Sequence, residues 1–246
     1  MRRIATAALL TGTLTATVLL AGCQIEPQAP DPGLRSKPSV SVAAKPARLA
    51  DHTPAEILRR AEAAMRSAGT VQVVGSDGEL ALNRRGAKGW LRDGGKGPKA
   101  QVISLDGRLY LRGRAYWAAQ EHGREVAAVV GDRWVDVSAN APKGQLDEAM
   151  KVLSFGGFVD TFHKEIVRKE HFTTVQELTV AGVQVVRLRN AKGVSLDVAA
   201  SGPAYPLRYD AKGTADDMRM SAFGRPVTIT RPADPIDPAK PYGRTS

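Results

Sequence analysis

One cysteine in 246 residues excludes an intramolecular disulfide and any cysteine-clustered metal site, so the fold must be held by packing alone. Histidine is nearly as scarce. His52, His122, His163 and His171 are scattered, and none has the short spacing of an H-E-x-x-H zinc motif, so neither a metal nor another cofactor is expected. The sequence contains no G-x-S-x-G elbow, S-x-x-K pair or P-loop, and Gly94-Gly95-Lys96-Gly97-Pro98-Lys99 reads as a solvated loop in place of a phosphate cradle. Acidic residues are spread singly, without a paired-carboxylate arrangement. The chain is therefore read as non-enzymatic. Acidic side chains are also outnumbered, 25 against 35 Lys and Arg, for a formal charge of +10. Apolar residues are 43% and charged residues 24% of the chain, ordinary for a globular protein with a sizeable core.

The one long apolar run is at the start. Met1-Arg2-Arg3 supplies a positive n-region, and residues 4–20 an apolar stretch diluted by five threonines. That combination is a secretory signal, too short and too hydroxylated for a permanent span of about 20 residues. Its end, Leu20-Ala21-Gly22-Cys23, resembles a bacterial lipobox. The resemblance implies a diacylglyceryl group on the Cys23 thiol, cleavage between Gly22 and Cys23, and a mature chain anchored by lipid to the extracytoplasmic face of the cell membrane. Two acyl chains hold a protein stably where one lets it exchange. Loss of Arg2 and Arg3 lowers the formal charge from +10 to +8. A basic protein in that place meets anionic headgroups and acidic wall polymers first, and nucleic acid is not expected.

Residues 23–50 carry Pro27, Pro30, Pro32, Pro38 and Pro46 without an apolar period and read as a disordered tether. Its flexible-coil span is roughly 30 Å, rising to about 85 Å if polyproline-like. A domain is then expected over 51–232, with an irregular tail at 233–246. Its start is marked by Thr53-Pro54-Ala55-Glu56, an N-cap, a first-turn proline and a capping-box glutamate. Ile57, Leu58, Ala61 and Met65 share one helical face, and Gly69 is placed to end the helix.

Beyond Gly69 the apolar period becomes two. Val71/Val73, Leu80/Leu82, Leu109/Leu111, Val183/Val185, Val194/Leu196/Val198, Leu207/Tyr209, Met218/Met220 and Val227/Ile229 predict strands with one buried face. Asp106-Gly107 and Ala181-Gly182 predict tight hairpins. Arg133 to Val137 reads as a further strand. About ten such strands with few helices between them argue for an α+β fold: a large curved antiparallel sheet with short helices on its apolar, concave face. The helical cover is expected from two short helices in 115–130 and from 146–162, the latter kinked at Gly156-Gly157.

Several segments resemble a known group. Leu109-Tyr110-Leu111-Arg112-Gly113 with Ala115-Tyr116-Trp117, then Gly131-Asp132-Arg133-Trp134-Val135, Pro206-Leu207-Arg208, and Phe223-Gly224-Arg225-Pro226-Val227-Thr228-Ile229 are similar in order and spacing to the LppX/LprAFG family of bacterial envelope lipoproteins. The resemblance covers about Thr53 to Pro232 and implies a LolA-like half-barrel that encloses an apolar cavity. It also implies a protein that binds or shuttles a lipid or other apolar ligand. Candidate lining residues are Leu109 and Leu111 from the sheet, Trp134 near its centre, and Leu153, Phe155, Phe158 and Phe162 from the cover; the alternative is that all seven form a dry core. A monomer is expected. The runner-up function is an envelope sensor or adaptor whose half-barrel docks a partner protein.

Overall fold

In the computed structural model, residues 47–92, 96–120, 123–139, 141, 143–212 and 217–238 are described. The lipobox, with Gly22 and Cys23, and nearly all of the tether lie outside them, as does His122.

Helix α1, Pro54–Ala68, begins as the sequence dictates: the Thr53 hydroxyl accepts the Glu56 backbone N–H at 3.3 Å, and Gly69 closes the helix at φ 70°. The Glu56 carboxylate is engaged by Arg59 and Arg60. Ile57, Leu58, Ala61 and Met65 are buried, each large one stabilising the fold by about 1.5–3 kcal/mol relative to exposure.

Eleven strands follow: β1 (Thr70–Gly75), β2 (Gly78–Asn83), β3 (Gly86–Arg92), β4 (Lys99–Leu105), β5 (Arg108–Arg112), β6 (Val135–Asp136), β7 (Thr174–Val180), β8 (Val183–Arg189), β9 (Ser195–Ala199), β10 (Pro206–Asp210) and β11 (Met218–Ser221). They form one open antiparallel sheet in the order β6-β5-β4-β3-β2-β1-β11-β10-β9-β8-β7, the α+β architecture expected of a LolA-like fold. Two meanders are thus zipped together by the first and last strands, with Val73 opposite Met220. The two predicted hairpins are present. Asp106 and Gly107 have φ 49° and 81°, Ala181 and Gly182 φ 48° and 80°, the doubly positive pattern that matches strand twist in a two-residue loop.

Because β6 and β7 are the opposite edges, the chain between them must travel the full width of the sheet. It does so as α4 (Lys143–Val152), α5 (Phe155–Phe162) and a π-helical turn, His163–Val167. Together with α1 these elements cover one face. Register places Val71, Leu82 and Ala87 in one row of that face and Val73, Leu80, Val102 and Leu111 in the next, and all pack into a single core cluster with the helices. Helices α2 (Arg114–Ala118) and α3 (Gly123–Val130) form the insertion between β5 and β6.

Four local expectations are corrected. In β8 the covered face takes Val186 and Leu188, opposite Val198 and Leu196, and leaves Val183 49% exposed; V-Q-V-V-R-L offers both phases, and pairing with β9 selects one. Val227–Ile229 joins no ladder, since both edges of β1 and β11 are already taken. The break in the helical cover falls at Leu153-Ser154, where Ser154 caps α5 by accepting the Gly157 N–H at 3.1 Å. Arg133–Val137 contributes only the two-residue edge strand β6, so Trp134 sits at the sheet margin and not near its centre. The chain after Pro232 also contacts the domain: Ile236 forms a parallel bridge with Val135 and is buried.

Candidate functional site

The residues expected to line a cavity separate into three environments. Leu109, Leu153, Phe155 and Phe162 are buried in the core cluster at 2–8% exposure, with Leu111 and Phe158 packed against it. Ser104, fully buried among them, donates its hydroxyl to the Leu153 carbonyl at 3.1 Å and ties the end of α4 to β4. Trp134 lies on the opposite face, because its neighbour Val135 shares the Leu111 row and alternation sends residue 134 outward.

Two recesses with mainly apolar walls border the helix-covered face. The first, about 420 Å³, lies between the α5 end of the cover and strands β10 and β11, with Phe158, Phe162, Ile166, Tyr209 and Met218 as its apolar walls. Its rim is polar: Lys169 pairs with Glu165, and Glu170 accepts from Asn190 at 2.5 Å and from the Tyr209 hydroxyl at 3.4 Å. Phe158 and Phe162 are the two cavity candidates that reach it.

The second recess, about 600 Å³, lies beside α3 and is lined by Trp117, Val126, Val129, Val130, Val135 and Val137, with Glu125 as its one charged lining residue. Both volumes fall in the range of small-molecule sites, about 300–1,000 Å³. α3 is amphipathic in the ordinary sense on one side, burying Ala127 and Val130, yet Val126 and Val129 remain 43% and 50% exposed. Val126 and Val129 thus leave an apolar strip of α3 open to solvent beside the groove. Val137 belongs both to this groove and to the main core, so the groove adjoins the covered face. The Trp117 Nε1 is buried with no hydrogen-bond partner among the described residues. The sequence signal for this groove is the run Val126, Ala127, Val129, Val130; the run predicts cover for the sheet, because periodicity alone does not separate a buried side from an apolar side left open.

Charged groups near the first recess tie α1 to the cover. Burial raises the Glu62 carboxyl, but hydrogen bonds from His163 Nδ1 at 3.0 Å and Arg66 at 2.8 Å outweigh it and hold the group below its ordinary value. Among the described residues no three of His, Cys, Asp and Glu gather in a metal-holding geometry, and none of the described helices is long and apolar enough to cross a membrane.

No protein-family model matches the sequence, and no curated protein does either. Solved structures that resemble it include two lipoproteins. LprF from Mycobacterium bovis is similar at 15% identity over 72% of this chain and 96% of its own, with a TM-score of 0.49. The lipoprotein LppX of Mycobacterium tuberculosis is similar at 10% identity over 72% of this chain and 97% of its own, with a TM-score of 0.41. Both names fall in the group that the sequence segments resemble.

Proposed function

We propose that this protein is a lipid-anchored, extracytoplasmic and non-enzymatic envelope protein that binds or shuttles a lipid or other apolar ligand at the membrane surface. The observation that carries the reading is the valine-lined groove beside α3, whose walls are apolar but for Glu125. Filling such a groove with an acyl chain removes the exposed faces of Val126 and Val129 from water and needs no directional bonds, at about 25 cal/mol per Å² of apolar surface covered. The Trp117 N–H, without a partner among the described residues, would suit an ester carbonyl at the head of such a chain. Anchoring through Cys23 and the tether would confine the domain where lipid is concentrated, as a monomer carrying its own ligand.

Native mass spectrometry of the full chain, extracted gently from membranes, tests this. The expected result is a monomer with lipid-mass adducts that Val129→Asp removes, and Cys23→Ser is expected to release the protein from the membrane fraction. Lipid-free protein in every preparation would overturn the reading, and a stoichiometric protein partner without lipid would replace it with the adaptor role.

A further inference from the structure

The sheet face turned away from the helices carries the largest recess described, about 790 Å³, and its walls differ in kind from those of the apolar groove. Register sets Glu79, Trp90, Gln101 and Arg112 side by side on four successive strands, β2 to β5, all on the face opposite Val102. At about 4.8 Å per strand the row is roughly 14 Å long. It runs from a carboxylate through an indole and an amide to a guanidinium. Arg92 and Lys99, opposite one another, occupy the next rung, and Lys88 the rung on the other side. Trp134 stands over the Arg112 end, its ring centre 6.0 Å from the guanidinium carbon.

Three of these four cations, Arg92, Lys99 and Arg112, lie against aromatic rings. Lys99 Nζ lies 4.1 Å from the Trp90 ring centre and the Arg92 guanidinium carbon 5.7 Å from it, and among the described residues Lys88, Lys99 and Arg112 form no ion pair. A cation–π contact orients a charge without neutralising it, so Lys99 and Arg112 reach the recess with their charge available, and Lys88 adds a third positive group to the same lining. Beside them stand acceptors. Glu79 takes one hydrogen bond from Gln72 at 2.7 Å, and Asp132 takes the Arg114 N–H at 3.2 Å; each carboxylate has further lone pairs to offer.

Cations alone would suit any polyanion, but carboxylates in the same lining repel a densely charged backbone such as nucleic acid. Acceptors are what hydroxyl donors require, and indoles offer flat apolar faces for the C–H side of a ring. The set of cation, acceptor, amide and indole therefore matches a polyhydroxylated ring with one negative substituent. We propose that this face is a second binding site, for an anionic saccharide: sugar rings bearing carboxylate groups, such as those of an acidic wall polymer. It is separate from the apolar groove beside α3 and does not depend on it.

The chain has three tryptophans; Trp90 and Trp134 line this recess, whereas Trp117 lines the apolar groove and serves as an internal control. Full-length protein labelled with ¹⁵N and titrated with trigalacturonate is expected to shift the indole N–H resonances of Trp90 and Trp134 and leave that of Trp117 in place. Maltotriose, neutral and of the same size, is expected to bind at least tenfold more weakly. Lys99→Gln and Arg112→Gln are each expected to weaken trigalacturonate binding about tenfold, with unchanged circular dichroism. Lys99 is exposed, so its variant keeps the test valid should Arg112→Gln unfold. Absence of shifts, a shift of Trp117 in step with the others, or equal binding of citrate would overturn the proposal, as would tighter binding of a deoxythymidine decamer or of phosphatidylglycerol vesicles.

Discussion

The hydroxyl of Ser104 on β4 donates to the carbonyl of Leu153, 3.1 Å away, where α4 ends and α5 has not begun. Ser104 is fully buried between Ala87 and Leu109 in its cross-strand row, so a polar atom sits in the core with the Leu153 carbonyl as its oxygen acceptor and the Met150 sulfur 3.5 Å away. Ser104→Ala is expected to cost about 1–2 kcal/mol, from the lost bond and the carbonyl left without it. Urea unfolding measures the loss, and hydrogen exchange should show faster opening of α5 than of α1.

The two neighbouring glycines of the cover respond in opposite directions. A Cβ on Gly157 would lie 1.5 Å from the Lys151 carbonyl oxygen, whereas one on Gly156 meets nothing within 4 Å. Gly157→Ala must push α5 away from α4 and is expected to destabilise by about 2–4 kcal/mol. Gly156→Ala is expected to stabilise by about 0.4–1 kcal/mol, since it restricts the unfolded chain at a helical position. Denaturant midpoints of the two variants check the contrast.

These two glycines also show how far the sequence was legible. Segments with a repeating signal were read correctly: the capped helix at Thr53, the Asp106-Gly107 hairpin, and the alternation of Leu109 with Leu111. What failed depended on partners distant in the chain. The phase of β8 is chosen by Leu196 and Val198, the strand status of Val227–Ile229 by whether a sheet edge is free, and the position of Trp134 by how β6 meets β5. β3 carries no alternation that marks it as a strand, because its covered positions are Ala87, Gly89 and Leu91, and small residues hide an apolar period. The seven cavity candidates could be picked as apolar, but apolarity alone does not tell a filled core from an open one.

On the uncovered face, Arg187 and Asp197 form a two-bonded cross-strand pair at 2.6 and 2.7 Å, with the Asp197 side chain 3% exposed. The paired carboxylate raises the Arg187 pKa further above its ordinary value. Arg187→Leu strands a buried carboxylate and is expected to cost about 2–4 kcal/mol, whereas the double change Arg187→Leu with Asp197→Leu should recover most of that loss. A double-mutant cycle in guanidinium measures the coupling.

The attachment of α1 to the cover should weaken in acid. Glu62 is held below its ordinary value by His163 and Arg66 against the opposing effect of burial, and Glu56 is lowered from 4.5 to about 2 by Arg59 and then Arg60. A carboxyl whose pKa is depressed in the folded state binds protons less readily there than in the unfolded chain. Its stabilisation is therefore complete above the ordinary value of 4.5 and is lost as pH falls through the folded value. For Glu56 that window runs from 4.5 down to about 2; for Glu62 it opens at the same upper limit and extends below it. Glu56 pairs only within α1, with the exposed Arg59 and with Arg60, and those ion pairs are screened by salt, so the more buried Glu62, which joins two elements, should dominate the change that survives added salt. Thermal melts of the wild type are expected to fall across this acid range. Glu62→Gln should begin about 2–4 °C lower at neutral pH, the shift of roughly 1 kcal/mol in a domain of this size, and then lose less on acidification, so that the two curves converge. Curves that stay parallel down to about pH 2 would show that the Glu62 to His163 contact does not link the charge state of α1 to the hold of the cover.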